Sequence, residues 1–206
     1  MTTGLWVTIP TYLAMIFLII HSLKYRGGVK PTIAFFGGAF IYGVIRENMV
    51  AYFNPAYVPV GFIGVDLWIG LATLWIIVGW GYAAYISWYL ASLITGIDKP
   101  MRSQMPVVAT IAGLIAAAIS FLIELPAVAA GWWVWNFNPA QVYYFMGPAE
   151  GMPLLTLGGW AMTVGILLFS YWAIAFHKTR WRYLGIAAIA LHFLQLVIVN
   201  TLLTLG

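Results

Sequence analysis

The sequence predicts an all-α, polytopic integral membrane bundle of about six transmembrane helices, forming a single domain over residues 1–206. Three observations predict it. Hydrophobic residues make up 64% of the chain and charged residues 7%, with a mean hydropathy of +0.96. A soluble domain cannot bury that much apolar surface, so lipid must be its solvent. The apolar runs are about the ~20 residues needed to cross ~30 Å of hydrocarbon. The basic residues, finally, fall in alternate loops.

The first span is Leu5–Leu23. The chain's opening residues lack a basic leader and a small-residue cleavage motif, so they read as a helix and not as a removed signal peptide. The second span is Thr32–Tyr52 and the third Val65–Leu93, long enough to tilt or to project from the bilayer. Pro106–Gly131, Pro153–His177 and Tyr183–Leu205 complete the set. Lys24, Arg26 and Lys30 follow the first span, Lys99 and Arg102 the third, and Lys178, Arg180 and Arg182 the fifth. The other two loops, Phe53–Gly64 and Trp132–Met152, contain no Lys or Arg. The positive-inside rule therefore makes the three basic loops cytoplasmic and puts both termini outside, in a multi-pass protein of the cell membrane. The formal charge of +4 serves orientation, and no nucleic-acid partner is implied.

Several chemistries are excluded. The chain has no cysteine, which rules out disulfides, thiolate catalysis, Fe–S clusters and cysteine zinc sites. His21, His177 and His192 form no i,i+4 pair and are too few for a histidine-rich di-iron site. The last span has no lysine for a retinal Schiff base, and no phosphate loop or dinucleotide fingerprint is present. No metal and no cofactor is implied. No span shows a ladder of charges, which argues against a voltage sensor or pump.

What remains is a set of acidic residues at one level. Counting 1.5 Å per residue from the cytoplasmic face puts Glu47 ~22 Å and Glu124 ~27 Å along their helices, in the outer third of the membrane. Asp66 opens the third span on the same side, Glu150 lies in an outer loop, and Arg46 is the nearby base. Asp98 reads as a cytoplasmic surface charge. Burial in low dielectric disfavours the charged form of a carboxyl group, which then keeps the proton a general acid requires. One reading is an acidic, aromatic-walled pocket in which Glu124 donates a proton and Glu47 and Asp66 orient or share it. Adjacent residues point ~100° apart on a helix, so Arg46 is expected to pair across helices, not with Glu47. The other reading is structural: Glu47 and Arg46 reach to the interface, or an ion pair locks the bundle. Trp132, Trp133, Trp135, Tyr143 and Tyr144 either form an interfacial belt or, with Trp75 and Trp160, wall a site that shields a cation. His192 and Gln195 share a face of the last span and suit interhelical hydrogen bonding.

The segments "IELPAVAAGWWVW" and "YYFMGPAEGMPLLTLGGW" resemble the carotenoid-biosynthesis membrane protein family typified by bisanhydrobacterioruberin hydratase, and more distantly the lycopene cyclases. Glu124, Trp133 and Trp135 match the first motif of that family, and Gly151, Pro153, Leu154, Gly159 and Trp160 the second. Glu47, Gly64-Val65, Leu67 and Trp75 echo the same pattern in the first half and suggest an internal duplication. The resemblance implies acid-catalysed hydration of the end group of an acyclic carotenoid, a lyase-class reaction on a hydrophobic isoprenoid ligand drawn from the lipid. Ser120 stands where the family carries an acid and Thr156 where it carries Asn, Leu125 separates Glu124 from Pro126, and "MGPAE" is inserted before Gly151. The alternative is a non-catalytic subunit that packs against other membrane subunits and holds carotenoid or lipid.

Overall fold

The computed structural model describes residues 3–54, 57–59, 67–138, 140, 142–147, 151–177 and 180–205. Its helices follow the apolar runs: α1 (Thr3–Tyr25), α2 (Val29–Phe53), α3 (Leu74–Thr95), α4 (Met105–Ala129), α5 (Leu155–Phe176) and α6 (Arg180–Leu205). Each of α2 to α6 is long and apolar enough to cross a membrane, and α1 adds the shorter apolar stretch Ile9–Tyr25. The architecture is a multi-pass helical membrane bundle. Its outer surface carries large apolar side chains such as Phe17, Ile41, Leu122 and Leu202. Helices that are apolar all round suit a surface solvated by lipid.

Contacts between connections fix the two ends. Arg26, at the turn between α1 and α2, forms an ion pair with Asp98 in the α3–α4 connection and lays its guanidinium over Trp88 at 4.6 Å. Asp98 is thus the partner of a buried arginine and more than a surface charge. Tyr171, late in α5, donates to the carbonyl of Pro31 at 3.2 Å, so the basic connections share one end. At the other end, β1 (Tyr57–Pro59) pairs antiparallel with β4 (Trp133–Trp135), with Val58 opposite Val134. This two-stranded clasp joins the α2–α3 connection to the α4–α5 connection.

The third span differs from expectation. It begins at Leu74 and not at Val65, because residues 68–73 fold back as a hairpin of β2 (Trp68–Ile69) and β3 (Ala72–Thr73). Two local features impose the turn. Gly70 has φ +66°, a conformation that costs glycine least. The side chain of Asn48 on α2 then holds the turn, accepting from the Leu71 N–H at 2.6 Å and donating to the Ile69 carbonyl at 3.0 Å. Asp66, expected to open this helix, lies outside the described residues, as does Glu150.

A second hairpin, β5 (Tyr144–Phe145) with β6 (Met152–Pro153), precedes α5. Its first strand runs into Met146 and Gly147, the described residues of the inserted "MGPAE". Helix, clasp strand, hairpin and helix therefore recur in the same order across α2–α3 and α4–α5, in keeping with a duplicated unit. The register differs from the one the sequence suggested. Trp80 and Trp160 each stand seven residues past the end of their hairpins and each follows a glycine. The counterpart of Trp160 is thus Trp80, not Trp75.

Small residues bring the spans together, as is usual where lipid offers no hydrophobic drive for helix association. A Cβ on Gly113 of α4 would lie 2.5 Å from the Ala161 carbonyl oxygen of α5. Gly113→Ala is therefore expected to force the two helices apart and cost about 1–3 kcal/mol. A lowered unfolding midpoint in detergent, against an unchanged one for Gly37→Ala in open space, checks this.

Candidate functional site

Both membrane carboxylates face one cavity of about 620 Å³. It lies between the helices at the clasp end and is walled by α1, α2, α3, α5 and α6, with Glu124 of α4 and Trp132 and Trp135 of the following loop. Glu124 is 2% exposed and Glu47 1%. Each sits within the last two turns of its helix, where the clasp returns the chain over the helix end.

Indole donors hold both acids. Trp160 Nε1–H donates to Glu124 Oε1 at 2.9 Å, and Trp135 Nε1–H donates to Oε2 at 3.1 Å. Trp80 Nε1–H donates to Glu47 Oε1 at 2.6 Å. The rings of Trp80 and Trp160 then pack at 4.8 Å between centroids, tilted by 47°. A chain Glu47–Trp80–Trp160–Glu124 therefore crosses the cavity, one carboxylate and one tryptophan from each repeat.

The repeats differ in charge. Arg46 pairs with its neighbour Glu47, a correction to the expected pairing across helices. The long side chain makes this possible: its guanidinium folds over the Trp80 ring at 4.2 Å, which carries it round to the carboxylate that the same indole holds. Glu47 thus has a counter-charge, and among the described residues two neutral indoles bond Glu124.

Compared with protein-family models, curated proteins and solved structures, the chain shows no significant match to any of them.

The other expected site residues divide. Trp75, 7% exposed, lines the cavity and meets Trp132 edge-on at 6.3 Å. Tyr144 is buried behind the site, and its hydroxyl shares its one proton between the carbonyls of Trp135 at 3.1 Å and Phe137 at 3.2 Å. Burial raises its phenol above the ordinary value, and its bonds to those carbonyls hold the strand that presents Trp135. Tyr143, beside it, is 77% exposed and does not line the cavity, because neighbours on a strand face opposite ways. The side chain of Trp133 lies outside the described residues. Ser120 donates to the Ala117 carbonyl at 2.9 Å and Thr156 to the Pro153 carbonyl at 2.7 Å.

Three participants escaped the sequence reading. Trp80 was signalled by the Gly-Trp dipeptide shared by 79–80 and 159–160. Asn54 and Asn200, which line the cavity and pair at 2.9 Å, were signalled only as amides at the ends of apolar runs. His192 makes the expected interhelical contact, with Thr163 at 3.4 Å, while Gln195 faces the cavity.

Proposed function

We propose that this membrane protein binds the end group of an acyclic isoprenoid, of carotenoid type, in the cavity and hydrates it by acid catalysis, with Glu124 as proton donor. The observation that carries the reading is a buried carboxyl group held by two indoles at the wall of an aromatic, lipid-surrounded cavity. If Glu124 carries its proton, each oxygen still keeps a lone pair for its indole, so both bonds are compatible with the protonated acid that a proton donor must be. Transfer of that proton to a terminal carbon–carbon double bond leaves a tertiary cation. Water adds its oxygen to the cation, and the surplus water proton returns to the carboxylate, so the net change is addition of one water. Tryptophan faces stabilise cations, as the position of Arg46 over Trp80 illustrates. The volume lies within the range of small-ligand sites and suits an end group, with the polyene chain leaving between helices into lipid. The same reading puts the basic connections in the cytoplasm and the clasp end outside, in the cell membrane.

Expression in a lycopene-making host, followed by chromatography of the pigments, tests the proposal. A more polar pigment heavier by one water is expected. An unchanged profile in cells that contain the folded protein overturns it.

A second reading, a ligand-holding subunit without catalysis, is favoured by Ser120 and Thr156. Both hydroxyls bond backbone carbonyls of their own segments and so do not replace the acid and amide of the resembled family. Purification in mild detergent with a partner at fixed stoichiometry, and no activity alone, would select it.

A further inference from the structure

The two long walls of the cavity differ in chemistry. Trp75, Trp80 and Trp160 make the α3–α5 wall aromatic, whereas Arg46, Glu47 and Asn54 of α2 face Gln195 and Asn200 of α6 across a polar one. We infer that this α2–α6 wall is a hydrated seam, which admits water from the clasp end of the bundle to the carboxylates. The inference rests on the hydration proposal for the use made of that water, and on geometry alone for its route.

The seam begins at the clasp. Asn54 is the residue that caps the end of α2; its amide donates to Asn200 Oδ1, and Asn200 in turn donates to the Leu196 carbonyl at 2.7 Å. From Asn54 the polar positions run back to Arg46, about 12 Å deeper at 1.5 Å per residue. There the pairing stops. Arg46 Nε and Gln195 Oε1 are buried and have no hydrogen-bond partner among the described residues, yet one is a donor and the other an acceptor on residues that line the same cavity. A polar group left unpaired in the hydrocarbon region is costly, and such groups in proteins are otherwise satisfied by ordered water. An apolar cavity of this size could stay dry. One with a wall of amides, a guanidinium and a carboxylate does not.

The absence of cysteine makes the route testable. Single-cysteine variants Asn200→Cys, Gln195→Cys and Gly79→Cys report from the cavity, and Leu194→Cys and Leu202→Cys report from the lipid-facing side of α6. A Cβ on Gly79 meets no atom within 4 Å, so that variant keeps its fold even if loss of an amide on α6 does not. A charged, membrane-impermeant methanethiosulfonate is applied in turn to each face of membrane vesicles. Only a hydrated cysteine forms the thiolate that reacts. Labelling of all three cavity positions at least about tenfold faster than the controls, from the clasp face alone, is the expected result. Control-like rates at Gln195→Cys and Gly79→Cys, labelling confined to Asn200→Cys, or labelling from the basic-loop face overturns the seam. Pigments are not read, so failure here leaves the hydration proposal standing, and an unchanged pigment profile with a labelled seam removes hydration alone.

Discussion

Glu124→Gln is expected to lower pigment hydration by about 10²–10⁴-fold, the usual worth of a positioned proton donor. The substitution also has a structural cost that can be foreseen from the donors around it. Two indole N–H donors bond Glu124, and an indole cannot accept. A carboxyl group offers an acceptor to each. A carboxamide offers one oxygen and turns its NH2 toward the other indole, which is left unpaired at about 1–3 kcal/mol. The variant should therefore unfold earlier than the wild type and still bind pigment, because the aromatic walls are untouched. Activity per folded molecule, measured on the fraction that remains monodisperse in detergent, separates the two losses. Wild-type activity in that fraction would remove Glu124 from the chemistry.

Arg46→Leu is expected to destabilise the bundle by about 3–5 kcal/mol, because it removes the arginine's counter-charge from a carboxylate that is 1% exposed. The double variant Arg46→Leu/Glu47→Gln should regain most of this. The amide removes that carboxylate's charge while its oxygen still accepts from Trp80 Nε1–H, now held at 2.6 Å by Glu47. Unfolding midpoints of the wild type and these two variants, compared in one detergent, check the sign and the rescue. A neutral Arg46→Leu would mean that the pair contributes nothing to the fold.

Much of the bundle was legible because hydropathy alone reports lipid contact, and the bounds of α1, α2, α4, α5 and α6 follow the apolar runs within a few residues. The start of α3 was not. Trp68, Ile69 and Leu71 are as apolar as the helix they precede, and the turn between them is set by Asn48, which sits a helix away. The level of Glu47 and Glu124 could be counted from the helix rise, but the indoles that join them could not, since that requires knowing which helices face each other. Trp75 drew attention through its spacing from Gly64, while Trp80 emerges only when the hairpins are aligned. The Arg46–Glu47 pair escaped because backbone vectors diverge between neighbours, and the length of the arginine, steered by Trp80, overrides that divergence.

The most direct measurement is the tryptophan fluorescence of the protein in lipid nanodiscs during titration with an acyclic polyene. If the cavity receives the polyene's end group, emission is quenched saturably in the wild type and in Glu124→Gln. Quenching is lost in Gly79→Leu/Gly159→Leu, whose new side chains occupy open space beside Trp80 and Trp160. Quenching that never saturates, or that survives the filled cavity unchanged, would contradict a ligand site at Glu124.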